Sequence, residues 1–400
     1  MSVEGETIEV RFDADFVEIL NQEYPHFTRA ELDRRRRAVE QLMIERSVDH
    51  VLIYGIGARG SAIRWLSEWL VTNEALLVVS PAQRDALFVQ YYNHVPLARH
   101  IARDAHVHWG GASTAQAGTD ELLQRGARRG RVGVIGPLSF GGARVIENAL
   151  GPLVDLNADY NQLRLVKSPE ELVWFGLGAR LADLSIAALE SQLRPGLSER
   201  DLCTIVEHAY HPYGGVNGIH YFAVNAMDDP QYCVARQHPS TRVVARGDVV
   251  STEITANFYD YGAQILRTFS VGDDLNTLFQ ELHDVAEMAY REIAKLLVPG
   301  THVAQLVQAA HVIEDAGFTT YDDLVHGYGG GYLAPVLGST SRTNEPIVDM
   351  VLEEGMMVVV QPNVVTLDHR AGVQTGECLV VTPRGPQRLH VTPPGARRVG

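Results

Sequence analysis

Four stretches in the second half of the chain hold the side chains suited to acid–base chemistry. Glu253 and Gln264 stand eleven residues apart in GDVVSTEITANFYDYGAQILRTFSVG, residues 247–272. His326 opens the glycine-rich run HGYGGG, Gln361 precedes a proline after an apolar run, and Glu377 follows Gly376 in GVQTGECLVV. A carboxylate on a buried strand loses water, so its pKa rises toward neutrality and it becomes a nucleophile or general base for ordinary pH. An imidazole on a glycine-rich loop then delivers a proton to a leaving nitrogen. Gln264 and Gln361 serve as arms for an uncharged or cationic group, because amides both donate and accept. Hard divalent cations are held chiefly by anionic oxygen, and this set offers only Glu253 and Glu377. Glu377 is expected to pair with a cationic substrate or with Arg267.

The elements that must position these groups are legible in the same text. Residues 249–258 and 262–271 read as a strand pair, 356–361 and 372–381 as further strands, with helices over 169–194, 198–210, 274–297 and 303–316. Ser168 caps a helix that has Pro169 at its first position, which places a domain boundary nearby. Upstream, apolar runs at 50–54, 75–80, 86–90 and 131–135 alternate with helical stretches. That alternation predicts an α/β N-terminal domain over 1–163, followed by an α+β domain over 164–400. Thr28 and Glu31 form a capping-box pattern ahead of a helix running to about Arg46. The arginines at 34–37 lie on it as a solvated face paired with Glu31 and Glu40.

Bulk composition narrows the class. With 46% hydrophobic and 21% charged residues, the 400-residue chain has ordinary globular composition. A net charge of −15 disfavours nucleic acid or an anionic membrane as the main partner and suits a soluble protein that resists self-association. No apolar run is read as approaching the roughly 20 residues that cross a bilayer. The acidic start lacks a signal-peptide core, and three cysteines without ligand-like spacing fit a reducing compartment, so a cytoplasmic location is expected.

The segment LRLVKSPEEL from Leu163, the strand pair of Glu253 and Gln264, the loop of His326, the Gln361-Pro step and the last strand together resemble the creatinase/prolidase, or pita-bread, family along the whole second half. The resemblance implies the pita-bread fold for the C-terminal domain and a homodimer. Typical metal-dependent members carry two aspartates, a His, a Glu before Pro and a final Glu as ligands. The matching positions here are Glu253, Gln264, His326, Gln361 and Gly376, so neither a metal site nor another cofactor is expected. Creatinase-type chemistry fits poorly, because Gln361 and Leu266 stand where creatinase has acids. The ectoine-hydrolase-like branch fits better, since a Glu there too replaces the first aspartate. That similarity implies Glu253, His326 and Glu377 as catalytic groups in a metal-independent hydrolase of an amidine- or amide-type C–N bond in a small-molecule substrate. Gln264, Gln361, His238, His220, Tyr261, Tyr328 and Trp69 are the expected substrate-binding residues, with Arg236 an alternative to His238. Tyr259, Tyr261, Tyr328 and Tyr332 are candidates for an aromatic wall, although packing is the commoner role of such residues. Competing readings are a peptidase with a single weakly held metal, a lyase or isomerase, and a non-catalytic binding protein on the same fold.

Overall fold

The computed structural model describes residues 10–57, 62–342 and 346–400. It divides into two compact units, one of Gln22–Arg164 and one joining residues 10–21 to Leu165–Gly400. The helix Ala14–Leu20 belongs to the second of these units. There Phe16 of the helix Ala14–Leu20 packs against Gly176, and Asp13 faces Arg180 at 3.9 Å.

The N-terminal unit is a mixed sheet of β1 (His50–Ile56), β2 (Glu74–Val79), β3 (Asp85–Val89), β4 (Ala105–Trp109), β5 (Val132–Ile135) and β6 (Val154–Asp155), ordered β4-β3-β2-β1-β5-β6. Its strands β1, β2, β3 and β5 are largely apolar runs because both faces are covered. Val51, Ile53, Leu77 and Leu87 belong to one core cluster, while Leu52, Leu76, Val78 and Phe88 belong to another. The helix Arg29–Glu45 starts on the Thr28 cap, and Glu31 binds both Arg34 (2.7 Å) and Arg35 (2.6 Å).

The C-terminal unit is built on β7 (Val216–Ala226), β8 (Asp248–Phe258), β9 (Tyr261–Val271), β10 (Thr319–Thr320), β11 (Val325–Tyr328), β12 (Tyr332–Leu337), β13 (Met357–Val360), β14 (Asn363–Val365), β15 (Gly372–Gln374) and β16 (Gly376–Val380). The main sheet runs β12-β11-β13-β16-β9-β8-β7, and β10-β14-β15 form a small second sheet. The long helix Pro169–Gln192 begins with the Ser168–Glu171 capping box and lies on β8 and β9. One window of this helix has a mean hydropathy of 1.5, high enough for a membrane span by length and composition alone; two thirds of it is buried inside the unit, as in a core helix. A second helix, Thr277–Ala294, buries Phe279, Leu282, Ala286 and Ile293 among Val325, Val358, Val360 and Leu379 from one face of the sheet. The opposite face of those strands carries His326 alongside Val359 and Cys378.

Candidate active site

Pairing register decides which side chains meet. Across the antiparallel ladder Glu253 faces Leu266, Thr255 faces Gln264, and Leu266 faces Gly376; His326 faces Val359, which faces Cys378. Side chains alternate along a strand, so Glu253, Gln264, His326, Cys378 and the hydrogen of Gly376 share one face. Gln361, following β13, continues that row. Gln264 Nε2 donates to Glu253 Oε1 at 2.6 Å and to Gln361 Oε1 at 3.1 Å. Glu253 is 6% exposed, and Gln264, His326 and Gln361 are fully buried.

Burial, reinforced by the nearby Asp322 carboxylate, pushes the Glu253 pKa up to about 8. His326 Nδ1 lies 3.0 Å from the Gly327 carbonyl, an acceptor, so Nδ1 carries the proton and Nε2 presents a lone pair. Nε2 is buried with no hydrogen bond of regular geometry, and burial depresses the imidazole pKa. Gln264 Oε1 and Gln361 Nε2 are likewise buried without hydrogen-bond partners. Three unsatisfied polar atoms on one face are what a ligand-binding surface presents, since such atoms are costly in a finished core.

Several residues named from sequence stand elsewhere. Glu377 pairs with Ile265, so it projects from the other face of β16. There it meets Arg267 at 2.7 Å, Arg388 and the Tyr290 hydroxyl at 3.1 Å. Those arginines hold its pKa down at about 2 against the cost of burial. It is thus an ion-pair anchor bound to Arg267, not a group facing Glu253. His220 pairs with Ile254, and the same alternation turns it toward the helix Glu199–Tyr210, where it meets the Tyr210 hydroxyl at 3.1 Å. His238 is exposed in the connection before β8, while Arg236 binds Glu199 and bridges to Phe222. Tyr261 packs against Trp174 and Phe175 of the long helix. Trp69 is 2% exposed within the core of the N-terminal unit. Tyr328 does lie near His326, with ring centroids 6.1 Å apart.

Besides the aromatic-wall candidate Tyr332, two groups that sequence reading passed over, Gln374 and Asp322, adjoin Glu253. Gln374 on β15 stands beside it and donates to Asp322 Oδ2 at 3.1 Å. Tyr332 stacks on His326 with centroids 3.8 Å apart and an interplanar angle of 13°. Its phenol feels Asp322, Asp323 and Glu253. The available signals were slight: an Asp pair shortly before His326, and a Gln two residues before Gly376.

Gly376 gives the clearest local reason for the site's composition. Its φ is +140°, and a Cβ there would fall 1.9 Å from the Val360 carbonyl oxygen. No side chain fits at this position without moving the backbone. Among the described residues no cluster of three or more His, Cys, Asp or Glu is arranged to hold a metal ion.

The paired α/β and α+β units, with this row of side chains inside the second, are the architecture of pita-bread enzymes. Residues 177–383 match the model of metallopeptidase family M24, and the chain belongs to that family. An uncharacterized peptidase of Staphylococcus epidermidis is 26% identical over 234 residues, covering 58% of this chain and 64% of the relative. An Xaa-Pro dipeptidase of Pyrococcus horikoshii is 25% identical over 233 residues, with the same coverage. The match thus spans just under two thirds of each relative. Among solved structures, an Xaa-Pro dipeptidase from Bacillus anthracis superposes with a TM-score of 0.78 at 18% identity, over 92% of this chain and 100% of that one. The prolidase of Pyrococcus horikoshii gives 0.76 at 19%, over 90% and 99%. These likenesses establish the fold.

Proposed function

We propose that this chain is a hydrolase of an amide- or amidine-type C–N bond whose reaction is carried by Glu253 and His326 without a dinuclear metal centre. The observation that carries the reading is the position of the Gln264 amide nitrogen. An N–H donor points at Glu253 Oε1 and Gln361 Oε1, the oxygens a cation would need. Family membership implies divalent metal, but the residues present do not fit a metal pair. At the five positions that match the family's ligands they offer one carboxyl group, one imidazole and two amides, and the Gly376 backbone excludes a further ligand.

The protonation states suggest a division of labour opposite to the one expected from sequence. Below about pH 8 Glu253 holds its proton, while neutral His326 offers a lone pair at Nε2. Water, deprotonated by His326 Nε2, adds to the electrophilic carbon. Glu253 gives its proton to the departing nitrogen, the C–N bond breaks, and proton transfer from His326 restores the starting state. The free amide groups of Gln264 and Gln361 hold the carbon's polar substituent. The reading is tested by screening small amides, amidines and Xaa-Pro dipeptides for hydrolysis by metal-free protein. Turnover that is lost in both Glu253→Gln and His326→Gln supports it, and turnover that survives either substitution refutes the assignment.

A further inference from the structure

We propose that Asp322 is the recognition group for a positively charged nitrogen on the substrate, seated against the open face of Tyr332. This rests on the reading of Glu253 and His326 as the reacting pair and adds the class of molecule they act on: a small cation, amidinium or ammonium, rather than a neutral amide or an anion.

The argument begins with charge. Glu253 and Asp322 are two acidic side chains facing the same space, linked through the Gln374 amide. Among the described residues neither forms an ion pair with a Lys, Arg or His. The adjacent Asp323 differs, because Arg342 Nη1 holds its Oδ1 at 2.5 Å. Asp322 receives only neutral donors, the Gln374 amide and the Asp323 backbone N–H at 2.8 Å. Burial raises the Asp322 pKa in spite of the charge of nearby Arg342, which forms no ion pair with it, and a cationic ligand seated there would stabilise the ionised carboxylate.

Shape agrees with charge. Asp322 is partly exposed whereas Glu253 is buried, so the first lies nearer the solvent and the second deeper. One face of the Tyr332 ring is covered by the parallel His326 ring, yet the residue is 51% exposed. The uncovered face is thus open to a cation, for which an aromatic face beside a carboxylate is a favourable seat. Beyond the acids, the buried and unpartnered atoms His326 Nε2, Gln264 Oε1, Gln361 Nε2 and Gln374 Oε1 show that this polar surface is built to receive something. Three of the four are acceptors, which suits a ligand rich in N–H donors.

The experiment is equilibrium binding, which does not depend on turnover. A panel of amidinium ions from acetamidinium to benzamidinium, each against its neutral amide, is titrated into the intact wild-type chain and the Asp322→Asn, Asp322→Glu and Asp323→Asn variants. The expected result is that at least one amidinium binds wild type at least about tenfold more tightly than its amide. That preference disappears in Asp322→Asn, partly returns in Asp322→Glu and stays within about twofold of wild type in Asp323→Asn. Equal binding of amidinium and amide, binding of neither, or a preference that persists in Asp322→Asn overturns the proposal. Loss of hydrolysis in the earlier screen with the cation preference intact would instead sink the catalytic reading alone.

Discussion

Gln264 ties Glu253 to Gln361: its amide nitrogen donates to Glu253 Oε1 at 2.6 Å and to Gln361 Oε1 at 3.1 Å, joining β8, β9 and the end of β13 through one side chain. Anchored on neighbouring strands, the reacting carboxyl is held by the sheet rather than by a loop, and it is nearly dry. Its protonation is consequently coupled to folding.

The Glu253→Gln variant should be more stable than wild type, increasingly so as pH rises. The folded-state pKa of Glu253, about 8, lies above the ordinary value of 4.5. Between those limits the folded chain holds a proton that the unfolded chain has released, so the wild-type protein loses stability as pH climbs through the window. Gln264 Nε2 can still donate to the substituted amide oxygen. The expected gain is on the order of a few kcal/mol above about pH 8 and close to nothing below about pH 5. Chemical denaturation of both proteins across this range gives the answer; a gap that does not widen with pH would show that Glu253 titrates normally.

Hydrolysis should follow a bell in pH. The alkaline limb is set by loss of the Glu253 proton near 8, and the acid limb by protonation of His326 below its ordinary 6.5. His326→Gln should cost about 10²–10⁴-fold in kcat/KM and remove the acid limb. A rate that keeps climbing through pH 8 would restore the opposite assignment, with ionised Glu253 as the base.

Glu377 should matter for stability. Replacing it by Gln leaves Arg267 buried beside a neutral group and should cost about 3–5 kcal/mol in urea denaturation. Its pKa is lowered, so the stability it contributes is present above its ordinary 4.5 and is lost as pH falls toward about 2. Wild type and Glu377→Gln should therefore converge in stability at acid pH. A variant with unchanged denaturation midpoint at neutral pH would contradict the anchor role.

Gly376→Ala should destabilise by at least about 2 kcal/mol, since both the positive φ and the close Val360 carbonyl oppose a Cβ. An alanine variant as stable as wild type would mean that the backbone there yields, and that a ligand could be rebuilt.

The strand pair, the glycine-rich loop and the Gln-Pro step were legible because strand sequences carry their own spacing, and register then brought Glu253, Gln264, His326 and Gln361 together. What misled was adjacency. Glu377 is one residue from Gly376, and a single step along a strand reverses the face. His220 points away from Glu253 by the same alternation, since its neighbour Tyr221 is the residue that pairs with Glu253. Asp322 and Gln374 were passed over because their approach to Glu253 depends on β10, β14 and β15 folding into a separate small sheet, a long-range arrangement that local pattern does not encode.

The most direct test of the whole account is elemental analysis of protein purified without chelator, joined to calorimetric titration with Mn²⁺, Co²⁺ and Zn²⁺. We expect sub-stoichiometric metal, no saturable pair of sites, and hydrolysis that persists after dialysis against chelator. Two tightly held ions per chain, with activity that vanishes on their removal and returns on their addition, would contradict it.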